Sequence, residues 1–381
     1  MAKKPIIPYG RQWIDENDIR EVVKVLKSDW LTQGPKIEEF EKAVAKYCGA
    51  KYGVAVCSGT VALHTAYSVA GIGPGDEVIT TPLTFAASAN MAAVLGVKLV
   101  FVDIESDTLN INPELVEGSI TSKTKAIVAV DFAGHPCDYD KILKIAKKHK
   151  LLVIEDACHA LGAKYASTSS SRVKWKRVGS LSDMTIFSFH PVKHITTGEG
   201  GMILTNNKDF YEKFKTFRHH GVVKNPEKGK WYYEIDNLGF NYRITDFQCA
   251  LGLSQLKKIN KFLKRRKDIA SKYNRGFRDV KEIILPAEKD YAKSAWHIYP
   301  IQLKKIDRRK IFEALQKKGI GAQVHYMPLH LHPFYQKKFG YKKGDFPVAE
   351  KYYEKAITLP LFPKMTGKDI QYVINSVKKI I

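Results

Sequence analysis

The feature that most constrains this chain is an alternation of two patterns over its first two thirds. "YGVAVC", "DEVITTP", "VKLVFVDI", "KAIVAVDF", "LLVIEDA", "MTIFSF" and "GGMILTN" are short, nearly continuous β-rich apolar runs. Runs of this kind predict buried strands. Between them lie segments with helical spacing, such as "TVALHTAYSVAG" and "DYDKILKIAKKHK". Strands that alternate with helices predict an α/β fold whose mostly parallel sheet is covered on both faces. Ligands of such sheets bind outside the carboxyl ends of the strands. From about Asn260 the pattern changes to a long basic helix, then "SAWHIYPIQL", "RRKIFEALQKKG" and "IGAQVHYMPLH". The expected organisation is a large α/β domain over 1–259 and a smaller α+β domain over 260–381. "ASTSSSRVKWKR" (Ala166–Arg177) has neither periodicity and is expected to be a mobile surface loop.

Composition excludes several classes. With 381 residues, 44% of them hydrophobic, the chain can build a sizeable core. Lys+Arg exceed Asp+Glu by 62 − 39 = 23. That excess would suit nucleic acid, an acidic membrane or anionic small molecules. It is spread along the chain, and its densest runs, "KKIDRRK" and "KKINKFLKRRK", have apolar residues at helical spacing. Solvated helix faces are therefore expected, with no nucleic-acid stripe and a field that attracts anionic substrates. The five cysteines, Cys48, Cys57, Cys137, Cys158 and Cys249, contain no CxxC pair. No metal site or disulfide frame is expected, which fits the cytoplasm. The start lacks a signal-peptide core, and no apolar run is long enough to span a bilayer.

The chemistry-bearing residues share one address, the carboxyl edge of the expected sheet. "CSGTVALH" places Ser58, Gly59 and Thr60 between a strand and a helix, where free N–H groups can bind phosphate, as can those of a plain βα turn. "TPLTFAASAN" offers Phe85, a core residue or a stacking platform. "IEDACHALGA" ends a strand with Glu155 and Asp156, with His159 three residues on; Asp156 would equally serve as a helix cap. "SFHPVKHITTGEGG" isolates Lys193 between an apolar strand that ends in Ser188 and a glycine-rich turn. A phosphate cradle, a ring platform, a buried acid and a lone amine are the set that pyridoxal phosphate (PLP) requires. Lysine ionises near ~10.4 and must be neutral to attack a carbonyl, which burial or a nearby cation promotes.

With these residues in view, the chain resembles the DegT/DnrJ/EryC1/StrS family of PLP-dependent sugar aminotransferases, which have the type I aminotransferase fold. "SGTVAL", "TPLTFAASAN", "EDACHALGA", "FSFHPVKHITTGEGG", "GFNYRITDFQCALGLSQL", "GAQVHYMPLH" and "ITLPLFP" occur in family order. The resemblance implies that Lys193 is the Schiff-base lysine and proton shuttle. It implies that Asp156 binds the pyridinium nitrogen, His159 the phenolic oxygen, and that Phe85 stacks on the ring. Gly59, Thr60 and Ser188 would hold the phosphate, joined by Asn241 from the neighbouring subunit of a homodimer. Some relatives carry histidine at the lysine position and act as sugar dehydratases; Lys193 favours transamination. The segment "PYGRQWIDENDIREVVKVLKSDWLTQGP" resembles the branch that serves pseudaminic acid formation. That likeness implies a UDP-linked 4-keto-6-deoxy hexose as acceptor and L-glutamate as donor. Tyr9, Asp29, Trp30, Leu31, Thr32, Ser58, Gln323, Val324, His325 and Tyr326 would then line the nucleotide-sugar pocket. A different keto position or a dTDP-sugar stays open.

Overall fold

The apolar runs form seven strands in the computed structural model, which describes residues 6–168 and 173–381. They are β1 (Tyr52–Val56), β2 (Glu77–Thr80), β3 (Lys98–Phe101), β4 (Thr124–Val130), β5 (Leu152–Asp156), β6 (Met184–Ser188) and β7 (Gly201–Thr205). They make one sheet in the order β1-β7-β6-β5-β4-β2-β3. β7 runs antiparallel to both of its neighbours, and every other pairing is parallel. Six strands therefore end at the same edge. Register keeps those ends level: Val130 pairs with Asp156, and Gly201 stands between Val56 and Ser188.

The strands are nearly continuous in hydrophobicity because both faces are covered. Val54, Val56, Val128, Ile154 and Ile186 face a core shared with the helices Gly59–Val69 and Ala86–Val94. Ala55, Phe187, Met202 and Leu204 face the helix Pro35–Cys48 through Phe40 and Val44. Ile127, Ala129 and Val153 face the helix Tyr139–His149 through Ile142 and Ala146.

A second, antiparallel sheet joins Ile283–Ile284, Tyr299–Leu303 and Ala356–Leu359. Tyr273, Phe277, Leu315, Val373 and Val377 cover it from the helices Ile259–Phe277, Arg308–Lys317 and Gly367–Ile380. The first of these helices bridges two cores: Ile259 and Phe262 pack with the main sheet, Ile269, Tyr273 and Phe277 with the second. Leu329, Tyr335, Phe346 and Tyr352 return to the main-sheet core.

One sequence expectation is corrected. Within Ala166–Arg177, Trp175–Arg177 is a strand that pairs antiparallel with Lys164–Ala166, and Ala292–Lys293 adds a third strand. Three-residue strands are too short to show a period in the sequence. The part of that expected loop at 169–172 lies outside the described residues. Among the described residues, no helix is long and apolar enough to cross a membrane.

Candidate active site

The loops that follow five of the six parallel strands converge on a cavity of about 380 Å3. After β1 come Ser58, Gly59 and Thr60, and after β2 comes Phe85. β4 adds Phe132, β5 brings Asp156 and His159, and β6 brings Ser188 and Lys193. Tyr9, His325 and Tyr326 close it from other parts of the chain.

One end of the cavity is built to accept an anion. Ser58 caps the helix Gly59–Val69 by accepting from the Val61 N–H at 3.3 Å. The N–H groups of Gly59 and Thr60, in the first turn, have no hydrogen-bond partner among the described residues. Unpaired N–H groups and the helix dipole together favour a phosphate there. The approach is close-packed, because a Cβ on Gly59 would lie 2.9 Å from the Ser188 Cβ. A Cβ on Gly201 would come within 2.4 Å of the Ser58 carbonyl oxygen, so β7 needs glycine to pass beneath the helix start.

The same cavity holds an acid. β5 alternates its side chains, so its two terminal carboxylates part company. Glu155 turns away and accepts from the Thr185 hydroxyl at 2.6 Å. Asp156 turns into the cavity, where its Oδ2 accepts from the Ser88 hydroxyl at 2.6 Å and its Oδ1 from the Cys158 N–H at 3.2 Å. Ser88 in turn contacts the Thr84 hydroxyl at 2.9 Å.

Lys193 lines the same cavity from a loop folded back on itself. Phe189 pairs with the Gly200 carbonyl at 2.9 Å, and its own carbonyl accepts from the Thr197 N–H at 3.0 Å and the Thr196 hydroxyl at 2.9 Å. Burial lowers the Lys193 pKa below that of a free lysine; Cys158 and Asp156 oppose the shift and Arg266 adds to it. The direction favours the neutral, nucleophilic amine.

The rest of the wall is aromatic. Phe85 is 60% exposed although it sits at the cavity, so one ring face is free to stack. The Tyr326 ring lies 6.0 Å from it, and its hydroxyl is 3.3 Å from His159 Nε2. Burial holds the His159 pKa well below that of a free imidazole, with Lys193 and His325 adding to the effect. His325 is pushed down to about 4 by burial and Lys193. Tyr9 reaches the cavity because its segment is pinned at both ends. Ile7 pairs with Gly319 and Gly321 at 2.9 and 2.8 Å, and the Tyr9 carbonyl accepts from Leu361 at 3.0 Å.

Six expected pocket residues, Asp29 to Thr32, Gln323 and Val324, do not line this cavity, and Asn241, expected to serve the neighbouring subunit, does not line it either. Asp29, Trp30, Leu31 and Thr32 are exposed on the turn after the helix Glu16–Leu26, where Thr32 bridges Thr245. Gln323 pairs its backbone with Thr358 and faces solvent, and Val324 does not line the cavity. Asn241 is exposed and bridges His219. Ser88, Thr84, Phe132 and Glu199 were not among the expected site residues. Ser88 and Thr84 lie on either side of Phe85 in the sequence, and neither carries a mark there of what it faces.

The donor set fits pyridoxal phosphate on observations independent of any likeness: unpaired N–H groups for the phosphate, an exposed ring face, a buried carboxylate already held by two donors, and an amine whose charge burial disfavours. An α/β sheet with this set at its carboxyl edge defines a PLP-dependent aminotransferase. Residues 12–378 match the DegT/DnrJ/EryC1/StrS aminotransferase family, and the chain belongs to it. An uncharacterised protein of Methanocaldococcus jannaschii is 48% identical over 100% of this chain and 99% of its own. The UDP-4-amino-4,6-dideoxy-N-acetyl-beta-L-altrosamine transaminase of Campylobacter jejuni is 41% identical, covering 99% of this chain and 98% of its own. A protein of Streptococcus pneumoniae assigned as a sugar aminotransferase, solved in its PLP form, superposes with a TM-score of 0.91 at 33% identity, over 99% of this chain and 100% of that one. The chain is a PLP-dependent nucleotide-sugar aminotransferase.

Proposed function

We propose that the chain moves the amino group of L-glutamate to the 4-keto carbon of a UDP-linked 4-keto-6-deoxy hexose, giving a 4-amino sugar for a surface glycan of the pseudaminic acid type. The observation that carries this reading is that Asp156 and Lys193 line one cavity together with a helix start whose N–H groups are unpaired and with the exposed ring of Phe85. The likeness to the Campylobacter jejuni transaminase supports the choice of sugar.

Pyridoxal phosphate, when bound, supplies an electrophilic carbonyl and a ring that accepts electrons. Asp156 keeps the ring nitrogen protonated. Phe85 would stack on the ring, and His159 would sit beside its phenolic oxygen. Gly59, Thr60 and Ser188 hold the phosphate. Lys193 Nζ anchors the cofactor, takes the proton from the α-carbon of glutamate and returns one to the sugar carbon that receives the amine. Tyr9, Ser58, His325 and Tyr326 face the sugar, and burial of His325 and Tyr326 keeps water from the reacting carbon. Asn241 of the partner subunit completes the phosphate site in a homodimer.

The test is 2-oxoglutarate release from glutamate with a panel of UDP- and dTDP-linked keto sugars. Turnover confined to the UDP-4-keto-6-deoxy sugar supports the proposal, whereas preference for a 3-keto or dTDP-linked sugar would reassign the substrate. Lys193→Ala is expected to lose turnover by at least about 10³-fold; steady turnover at the wild-type rate would remove the mechanism.

A further inference from the structure

Beneath the Lys193 loop lies a side chain that the chemistry above leaves unused. The run "KFLKRRKDIASKY" supplies a row of cations to the helix Ile259–Phe277. Helical periodicity turns one of them inward: Phe262, Arg266, Ile269, Ala270 and Tyr273 share the buried face. Arg266 is 1% exposed, while its neighbour Arg265 pairs with Asp268 nearer the surface.

A buried cation normally brings a carboxylate with it. The partners of Arg266 are main-chain carbonyls instead. Nη1 donates to His297 at 2.9 Å and to Trp296 and Leu361 at 3.2 Å each, and Nη2 reaches Val192 at a long 3.5 Å. Nε has no partner among the described residues. Burial alone pushes the guanidinium down to about 9, so it stays cationic at neutral pH.

The four carbonyls belong to three segments that this guanidinium ties together. Val192 immediately precedes Lys193 and shares its cavity wall. His297 packs against His159 with ring centres 4.3 Å apart and against His194 at 5.5 Å, the planes tilted by 37° and 47°. Leu361 holds the carbonyl of Tyr9 at 3.0 Å. The charged and titratable groups around the Lys193 amine come from every element packed there: Asp156, Cys158 and His159 after β5, His190, His194 and Glu199 on its own loop, Tyr9, His297, His325 and Tyr326, and Arg266 itself. Burial holds His159, His194, His297 and His325 neutral, so the fixed positive charge that bears on Lys193 is Arg266, set against the carboxylate of Asp156.

We propose that Arg266 is a positioning residue for Lys193, gathering the carbonyls of Val192, Trp296, His297 and Leu361 into one anchor and setting, with its uncompensated charge, the potential at the Lys193 nitrogen. This rests on the pyridoxal phosphate reading above. The anchor aligns the lysine loop with the imidazole cluster behind His159. The charge repels a proton from the nitrogen, opposing the pull of Asp156.

The test uses the full chain loaded with pyridoxal phosphate, whose visible absorption follows protonation of the Lys193 nitrogen. A wild-type chain that takes up no pyridoxal phosphate would overturn the cofactor reading itself, a result distinct from any effect of Arg266. With cofactor bound, Arg266→Met is expected to move the pH midpoint of the absorption change upward by about half to one unit, and Arg266→Lys to keep it within about 0.3 unit of wild type. A folded, cofactor-loaded Arg266→Met with the wild-type midpoint would overturn the proposal. Should Arg266→Met fail to fold, Arg266→Lys decides: a midpoint displaced by more than about half a unit would show that retained charge does not set the potential.

Discussion

At the scale of single residues, the end of β5 shows how a one-residue step separates two carboxylates. Asp156 enters the cavity, while Glu155 joins Asp131 beneath it, where the Tyr139 hydroxyl donates to Asp131 Oδ1 at 2.9 Å. Burial pushes both of these acids up, and the charge of Glu155 adds to the rise at Asp131. The folded chain thus holds protons that the unfolded chain sheds above its ordinary carboxylate range near ~4. The stability this pair contributes is complete below that range and is lost as pH rises toward the raised folded values. The thermal midpoint of the wild type should therefore fall more steeply, as pH rises above the ordinary carboxylate range of ~4, than that of Asp131→Asn, whose amide has no proton to lose. Parallel slopes in a melting series would contradict this. That Asp156 is the inward acid follows from strand alternation and was open to reading from "LLVIEDA". That Ser88 holds it was not, because a serine inside a helix carries no mark of what it faces.

Among the elements, the seven strands were legible because strands covered on both faces are predominantly apolar, and the polar residues of β2 to β5 fall at or next to their ends, as Glu77, Lys98, Lys125, Glu155 and Asp156 do. Their carboxyl ends located the cavity, and Ser58, Gly59, Thr60, Phe85, Asp156, His159, Ser188 and Lys193 all line it. The placement of the remaining expected residues depends on pairings made far along the chain. Tyr9 is brought in by contacts with Gly319, Gly321 and Leu361, and Asp29–Thr32 is held outside the cavity by the bridge from Thr32 to Thr245. Likewise, the backbone at Gln323 pairs with Thr358 while its side chain is exposed, and His325 is buried at the cavity with Nδ1 3.0 Å from the Thr358 hydroxyl. The first turn of the helix Gly59–Val69 carries its own prediction. Gly59→Ala places a methyl 2.9 Å from Ser188 Cβ and 3.3 Å from Cys158 Sγ. It should raise the Kd for pyridoxal phosphate about tenfold or more, equal to ~1.4 kcal/mol, in an absorbance titration. An unchanged Kd would show that the helix start is not the phosphate site.

At the scale of the whole molecule, the hairpin of Val222–Lys224 and Tyr233–Ile235 leads to Asn241 and carries Trp231, Tyr233, Ile235 and Leu238 at exposures of 60 to 81%. An apolar arm of this kind suits a second copy of the chain, as the proposed dimer requires. If Asn241 serves the partner's site, then Lys193→Ala and Asn241→Ala, each impaired alone, should recover about a quarter of wild-type activity when mixed after subunit exchange, because half the dimers regain one intact site. No recovery in chains shown to exchange would place Asn241 outside the site. The central claim is that one amine, on the loop after β6, captures the cofactor. Its most direct measurement is borohydride reduction of the chain loaded with pyridoxal phosphate, followed by peptide mass analysis. The pyridoxyl group is predicted on Lys193 alone; its appearance on another lysine, or on none, would contradict the claim.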